Sequence, residues 1–172
     1  MQLMDLVHPD CPNFRWYEVW KSDTASRLEI DNVSEDPKII AAAQGLTKHI
    51  LQPIRNVHGS VKINSWFRCE DLERVITKKA FHNWSVRHKV NPNFRSSWNK
   101  YFALKSHPGG EAGDIELPGI SNDDLYHWIG KNMEFDQCIR EFPVAGIPDS
   151  GWVHVSWSAT KNRKQQFEIG AK

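Results

Sequence analysis

The nine residues SHPGGEAGD, 106–114, carry a histidine, a glutamate, an aspartate and three glycines. Two chemistries suit such a stretch. Glycine-rich loops cradle phosphate, but the pattern is neither G-x-x-x-x-G-K-[ST] nor a G-x-G-x-x-G leading from a strand into a helix. Gly113 runs into DIEL, which reads as a strand, and Glu111 and Asp114 would repel a phosphate. The second chemistry is metal binding. His107 offers an imidazole and Asp114 a carboxylate, and glycines permit the bend that brings them to one ion.

A catalytic zinc site takes three protein ligands and leaves one position open. The best third donor is His154 in WVHVSW, 152–157. This stretch alternates as a strand does. Trp152, His154 and Ser156 then share one face, and Val153 and Val155 share the core-facing one. Singly, each residue has an ordinary explanation: a lone strand histidine is more often structural than ligating. The combination carries the signal.

The elements that must position these residues can be read in outline. FRWYEVWKSDTASRLE (14–29) suggests one or two short helices anchored by Phe14, Trp16 or Tyr17, and Trp20. A longer helix is expected at about 36–56, with Pro37 in its first turn and Ile39, Ile40, Ala43, Leu46, Ile50, Leu51 and Ile54 on one face. VKINSWF (61–67) reads as a strand and EDLERVITKKA (70–80) as a short helix. Residues 81–105 have weak periodicity, five basic residues and several aromatics, and read as a long, partly helical insertion. GDIELPG (113–119) is a strand closed by Pro118-Gly119, and Ser121 caps a helix at about 122–133. FDQCIREF (135–142) is a strand with Phe135, Ile139 and Gln137 on one side. A turn-rich loop occupies 143–151, and QQFEIG near the end suggests an edge strand after the basic KNRK. Helices come early and strands late, the pattern of an α+β domain.

HPGGEAGDIELPG (107–119) resembles the H-x-x-G-x-A-x-D signature of the zinc D-alanyl-D-alanine carboxypeptidases and related peptidoglycan peptidases, whose metal fold also occurs in the Hedgehog signalling domain. GWVHVSW (151–157) is similar to the family's second signature, W-V-H-V-S. INSWFRCEDL (63–72) is similar to its upstream S-[GA]-[YF]-R segment. SDTASRLEIDN (22–32) and FDQCIREF also match small phage-type and bacterial members, so the resemblance runs from about 14 to 157.

The resemblance implies a fold of N-terminal helices on a small, mainly antiparallel sheet, with zinc on His107, Asp114 and His154. It implies that Arg68 steadies the substrate and the developing oxyanion, which suits a permanently charged, forked donor. The ordinary alternative for Arg68 is a surface pair with Glu70 or Asp71. Some branches place the general base three residues before the last zinc histidine, where this chain has Gly151. Others place it in an E-F pair ending the preceding strand, which Glu141-Phe142 matches. Glu141 is therefore the expected base, with Asp149 as fallback and Glu111 as a rival inside the metal loop. Many members have serine two residues before the first zinc histidine. Here that position is Lys105, with Ser106 beside it, and both are candidate substrate-binding residues. His82 and His88 read as ordinary loop histidines.

The function implied is a zinc peptidase acting on stem peptides or cross-links of bacterial peptidoglycan, as a phage endolysin or a virion-associated component. A non-catalytic zinc-stabilised module, such as a tail or baseplate subunit that associates with other virion proteins, is the alternative. The bulk properties agree. The 172 residues suit a single domain spanning 1–172, with the insertion at 81–105 and a basic tail at 159–172. A net charge of +1 gives no bulk attraction for nucleic acid or a membrane surface. The three cysteines are scattered and form no C-x-x-C pair, which argues against a disulfide framework or a thiolate zinc site. The first residues lack the basic-then-apolar pattern of a signal peptide, so a soluble protein in the host cytoplasm or the virion is expected. The eight tryptophans are expected mostly in the core.

Overall fold

A computed structural model describes residues 2–171. The last residue of the basic tail assigned to 159–172 and the first residue of the chain lie outside the described residues. The chain opens with an antiparallel hairpin, β1 (Leu6–His8) and β2 (Cys11–Arg15). Two short helices come next, α1 (Trp16–Trp20) and α2 (Asp23–Arg27). Of the expected anchors, Phe14, Trp16 and Trp20 are buried and Tyr17 is exposed.

The long helix is α3 (Pro37–Leu46), a π-helical turn at Thr47–Leu51 and α4 (Gln52–His58) in continuous succession. Asp36 caps it, its Oδ1 accepting from Lys38 N–H at 2.9 Å. Pro53 lies in the first turn of α4. A proline inside an α-helix lacks one N–H and clashes with the carbonyl four residues back, and the wider π turn just before it removes that conflict. The helix therefore continues past the proline and ends at Gly59.

β3 (Lys62–Ser65) leads to α5 (Glu70–Ile76), α6 (Lys78–Arg87) and α7 (Arg95–Phe102). The expected helix at 70–80 breaks at Thr77. The insertion at 81–105 is more ordered than its periodicity suggests: α6 and α7 bury Phe81, Trp98 and Tyr101 against each other, with Trp84 and Phe102 at the margin. Three buried aromatic residues are too few to imprint a helical period on the sequence. A 3-10 turn at His107–Gly109 leads into β4 (Ala112–Glu116). α8 (Asn122–Asn132) is capped by Ser121, whose Oγ accepts from Asp124 N–H at 3.0 Å. β5 (Gln137–Glu141), β6 (Trp152–Ser156) and β7 (Gln165–Ile169) complete the chain.

The main sheet has the order β3-β4-β6-β5-β7. Every pairing is antiparallel except β5 with β7, so this is a mainly antiparallel sheet in an α+β fold, with β7 on the edge. One face, through Val153, Val155 and Cys138, packs on Leu46, Ile50 and Ile54 of the long helix and on Leu125 and Ile129 of α8. Each large apolar side chain buried in this way stabilises the fold by roughly 1.5–3 kcal/mol relative to exposure. Cys138, not Ile139, faces this core. Phe135 is also in the core but precedes the strand, so it does not share the alternation that would have placed Ile139 beside it. Four of the eight tryptophans (Trp16, Trp20, Trp66, Trp98) are buried. All three cysteines are free thiols. No helix among the described residues is long and apolar enough to cross a membrane.

Candidate metal centre and its cleft

The two central strands set the site. In the β4–β6 register Asp114 lies directly opposite His154, which puts their side chains on the same face, away from Val153 and Val155. The polar face of β6 is nevertheless covered: His154 and Ser156 are both buried. His107 arrives from the turn before β4. Gly110, at φ +75°, ends that turn, and a Cβ there would approach the Ile39 carbonyl oxygen at 2.8 Å. The bend is thus tied to glycine both by conformation and by the closeness of α3.

Three donor atoms converge. His107 Nε2 lies 3.1 Å from Asp114 Oδ1 and 3.2 Å from His154 Nδ1, and His154 Nδ1 lies 3.0 Å from Asp114 Oδ1. Ligands about 2.0–2.1 Å from a tetrahedral ion stand roughly 3.3 Å apart. These residues therefore fit a metal with little adjustment. The protons argue the same way. His107 Nδ1 faces the Trp66 carbonyl oxygen at 2.6 Å and must donate to it. Burial pushes His107 down to about 4, so its ring is neutral at neutral pH. Its Nε2 then aims a lone pair at Asp114 Oδ1. In spite of its burial the Asp114 carboxyl is held well below its ordinary range, and Arg68 donates to its Oδ2, so it is ionised. Two acceptors facing each other at 3.1 Å repel, and a cation between them removes the conflict. Two imidazoles and a carboxylate are a donor set suited to zinc.

Outer partners hold each ligand, as is usual in metal sites. Trp66 O fixes the His107 ring, and Ser106 Oγ lies 3.4 Å from His154 Nε2. Arg68 Nη2 donates to Asp114 Oδ2 at 2.5 Å and Arg68 Nε to Ser65 Oγ at 2.9 Å. The surface pair with Glu70 or Asp71 does not form. Glu70 instead engages Arg74, Arg95 and the Trp98 indole N–H. Buried Asn32 fixes the backbone on both sides of Arg68. It donates to the Trp20 and Phe67 carbonyls (2.9 and 3.1 Å) and accepts from Cys69 N–H (2.8 Å).

Glu141 ends β5 opposite Trp152, so its side chain shares the face that carries His154. Burial pushes its carboxyl up, Asp114 adds to the rise, and His154, Arg68 and Lys105 oppose it. Gly151, at φ +70°, stands three residues before His154. A Cβ there would come within 1.9 Å of the Glu141 carbonyl oxygen, so no acidic side chain fits that position without moving the strand. Asp149 is exposed on the loop before β6, beside a separate groove formed with Glu116–Asn122. Glu111 turns the other way, with Asp136 and Ser158 as the neighbours that act on its carboxyl. Lys105 stacks its Nζ 4.2 Å from the centre of the Tyr101 ring.

A cleft of about 720 Å³ opens beside Asp114 and Arg68. Its walls are α1 and α2, the β3 strand, Ile76 and Trp152. Residues 81–105 are absent from its walls, and Phe81, Trp98 and Tyr101 pack in a small core of their own.

Glu73 and Asn32 carry no mark in the sequence that would have flagged them. Glu73 is buried to 1% exposure, with Oε2 lying 3.6 Å from Arg68 Nη1. Its carboxyl is pushed up by burial, against the pull of Arg68 and Lys105. In sequence it is one of three acids in the first turns of α5, and nothing separates it from Glu70 and Asp71. Asn32 sits in a stretch with no periodic pattern to signal its burial.

No family model matches the chain, and no curated protein matches it. Among solved structures, the chain is similar to a Zn(II) complex of a variant of the vancomycin-resistance D,D-pentapeptidase VanY, from the VanB-type resistance cassette. The TM-score is 0.35 and the identity 17%, over 72% of this chain and 72% of that one.

Proposed function

We propose that the chain is a zinc-dependent peptidase that hydrolyses peptide bonds in the stem peptides or cross-links of bacterial peptidoglycan, acting as a phage endolysin or virion-associated muralytic protein. The observation that carries the peptidase reading is the convergence of His107, Asp114 and His154 beside an open cleft, with a half-buried carboxylate, Glu141, on the same sheet face. The peptidoglycan and phage assignments draw on the resemblance of residues 107–119 and 151–157 to the two zinc signatures. Residues 1–172 are read as one catalytic domain, supported by a main core cluster that joins elements from β1 to β6.

When bound, zinc supplies Lewis-acid polarisation of the scissile carbonyl and lowers the pKa of a water toward ~7. Glu141 takes the proton from the attacking water and passes it to the leaving amine as the C–N bond breaks. Its raised carboxyl suits that exchange, because a base that returns its proton works best with a pKa nearer the working pH. Arg68 has five N–H groups and commits two to Ser65 and Asp114. The Nη1 pair lies towards Glu73, and the one remaining Nη2 N–H is available to the negative charge that develops on the carbonyl oxygen. Lys105 and Ser106 flank the first ligand and are read as contacts for the substrate carboxylate.

The second reading is a zinc-stabilised structural or interaction module, a tail or baseplate subunit that binds other virion proteins. Gly151 favours it, since the position where some relatives carry an acid has no room for a side chain. Peptidoglycan digestion with mass analysis of the products separates the readings. Wild type should release peptide fragments, and Glu141→Gln should lower the rate by about 10²–10⁴-fold. Full activity in Glu141→Gln removes Glu141 as the base, and no products from either protein favours the structural module.

A further inference from the structure

Among the described residues, Glu73 is a buried carboxylate near the metal centre that the mechanism leaves idle. It lies on α5, is 1% exposed, and its Oε2 has no hydrogen-bond partner. Its near neighbour is Arg68 Nη1 at 3.6 Å, just beyond hydrogen-bond reach. Arg68 reaches in the other direction to Asp114 Oδ2 at 2.5 Å, and the other oxygen of Asp114 meets both histidines. Four groups thus form a line: Glu73, Arg68, Asp114 and the paired imidazoles. A buried carboxylate without full hydrogen bonding is costly, so a structural filler at this position would serve better as leucine or glutamine.

We infer that Glu73 is a positioning residue for the metal centre: it shares the Arg68 guanidinium with Asp114 and so limits how strongly Arg68 draws Asp114 away from the ion. The inference rests on the metal centre of the proposed function but not on its catalytic step. Two effects act in the same direction. A guanidinium held by one carboxylate instead of two binds Asp114 more strongly, which makes Asp114 a poorer ligand. Removing a negative charge also makes the surroundings of the ion more positive, because Lys105 and Arg68 remain. Asn32 fixes the backbone around Arg68, so the guanidinium responds by turning rather than by leaving.

Competition of the folded protein against a zinc chelator reads this directly. In Glu73→Gln, which keeps the volume and removes the charge, the zinc dissociation constant should rise about 10–100-fold, the usual cost of losing an outer-shell partner. Glu73→Asp keeps the charge but withdraws it from Arg68, and should show a smaller rise. Glu70→Gln, one turn earlier on the same helix and paired only with Arg74, Arg95 and Trp98, should leave zinc affinity unchanged. A purely structural Glu73 would lower the melting temperature and leave the affinity of the folded protein alone, so an affinity within twofold of wild type in Glu73→Gln overturns the inference. Should that variant not fold, wild-type affinity in Glu73→Asp overturns it equally. A wild type that takes up no zinc overturns the metal centre and this inference together. One that binds zinc but cleaves no peptidoglycan removes the peptidase reading and leaves the affinity comparison to decide on Glu73.

Discussion

The β4–β6 pair and the α6–α7 hairpin solve the same problem, holding polar and aromatic groups in place, by opposite means. In the strand pair, register does the work. Asp114 faces His154 within four matched pairs, from Ala112 with Ser156 to Ile115 with Val153, and a slip of either strand by one would turn its own ligand towards the helical core. The hairpin has no such ladder. It is held by Phe81, Trp98 and Tyr101, by Arg74 stacked 4.2 Å over Trp98, and by the Glu70 network. Precision at the metal centre is therefore global, tied to the main core, whereas order in the hairpin is local.

Three experiments press on that contrast. The largest effect is expected from Asp114→Asn. An apparent free energy of ~10–16 kcal/mol for a four-ligand zinc site puts roughly 2.5–4 kcal/mol on each ligand, so zinc affinity should fall about 10²–10³-fold. Circular dichroism should show the sheet intact. Retained affinity would mean that the strand register does not build the metal centre.

Next is Trp98→Ala. The residue is 1% exposed in the small cluster, and its removal should cost about 3 kcal/mol, the low end for an aromatic because a small cluster can collapse. Hydrogen exchange should quicken in α6 and α7 while zinc affinity holds. If affinity falls with it, the two regions are coupled and the contrast between local and global order is broken.

The smallest effect is on pH dependence in metal-free protein. The unfolded chain protonates a histidine near 6.5, but the folded chain resists protonation at His107 down to about 4. Stability from this group is complete above pH 6.5 and is lost as pH falls through that window. Glu73 and Glu141, both pushed up by burial, work the other way: the folded chain takes their protons first, and stability rises as pH falls through their folded values. Comparison with His107→Gln isolates the histidine. On going from about pH 7 to about pH 5, wild type should lose about 2 kcal/mol more than the variant. Equal losses would show that His107 is more open to solvent than the strand-pair description requires.

The same contrast explains how much the residues reveal by themselves. His107, Asp114 and His154 are legible because a tight loop and a central strand leave a fixed spacing and an alternation in the sequence. The long helix is legible from its apolar face, although its passage through Pro53 is not, since the π turn leaves no compositional mark. The hairpin helices are blurred because so few of their residues are buried. The opening β1–β2 pair is hidden because Pro9 and Pro12 suppress a strand pattern. Around the site, Arg68 stands out in the sequence but its partners do not. Glu73 and Asn32 act through contacts between elements distant in sequence, and no local pattern records such contacts.

Trp66, beside the metal loop, bears on the kinetics of ion exchange. It is fully buried; its carbonyl accepts from His107 and its indole N–H donates to the Gly110 carbonyl at 3.2 Å. The loop is thus tied at both ends to a single core residue, at one end through its backbone and at the other through its side chain. Its ligands are ordered before any ion arrives, so capture costs little chain entropy and needs no folding step. Ion exchange at this centre should then be paced by ligand exchange and access through the cleft rather than by opening of the polypeptide.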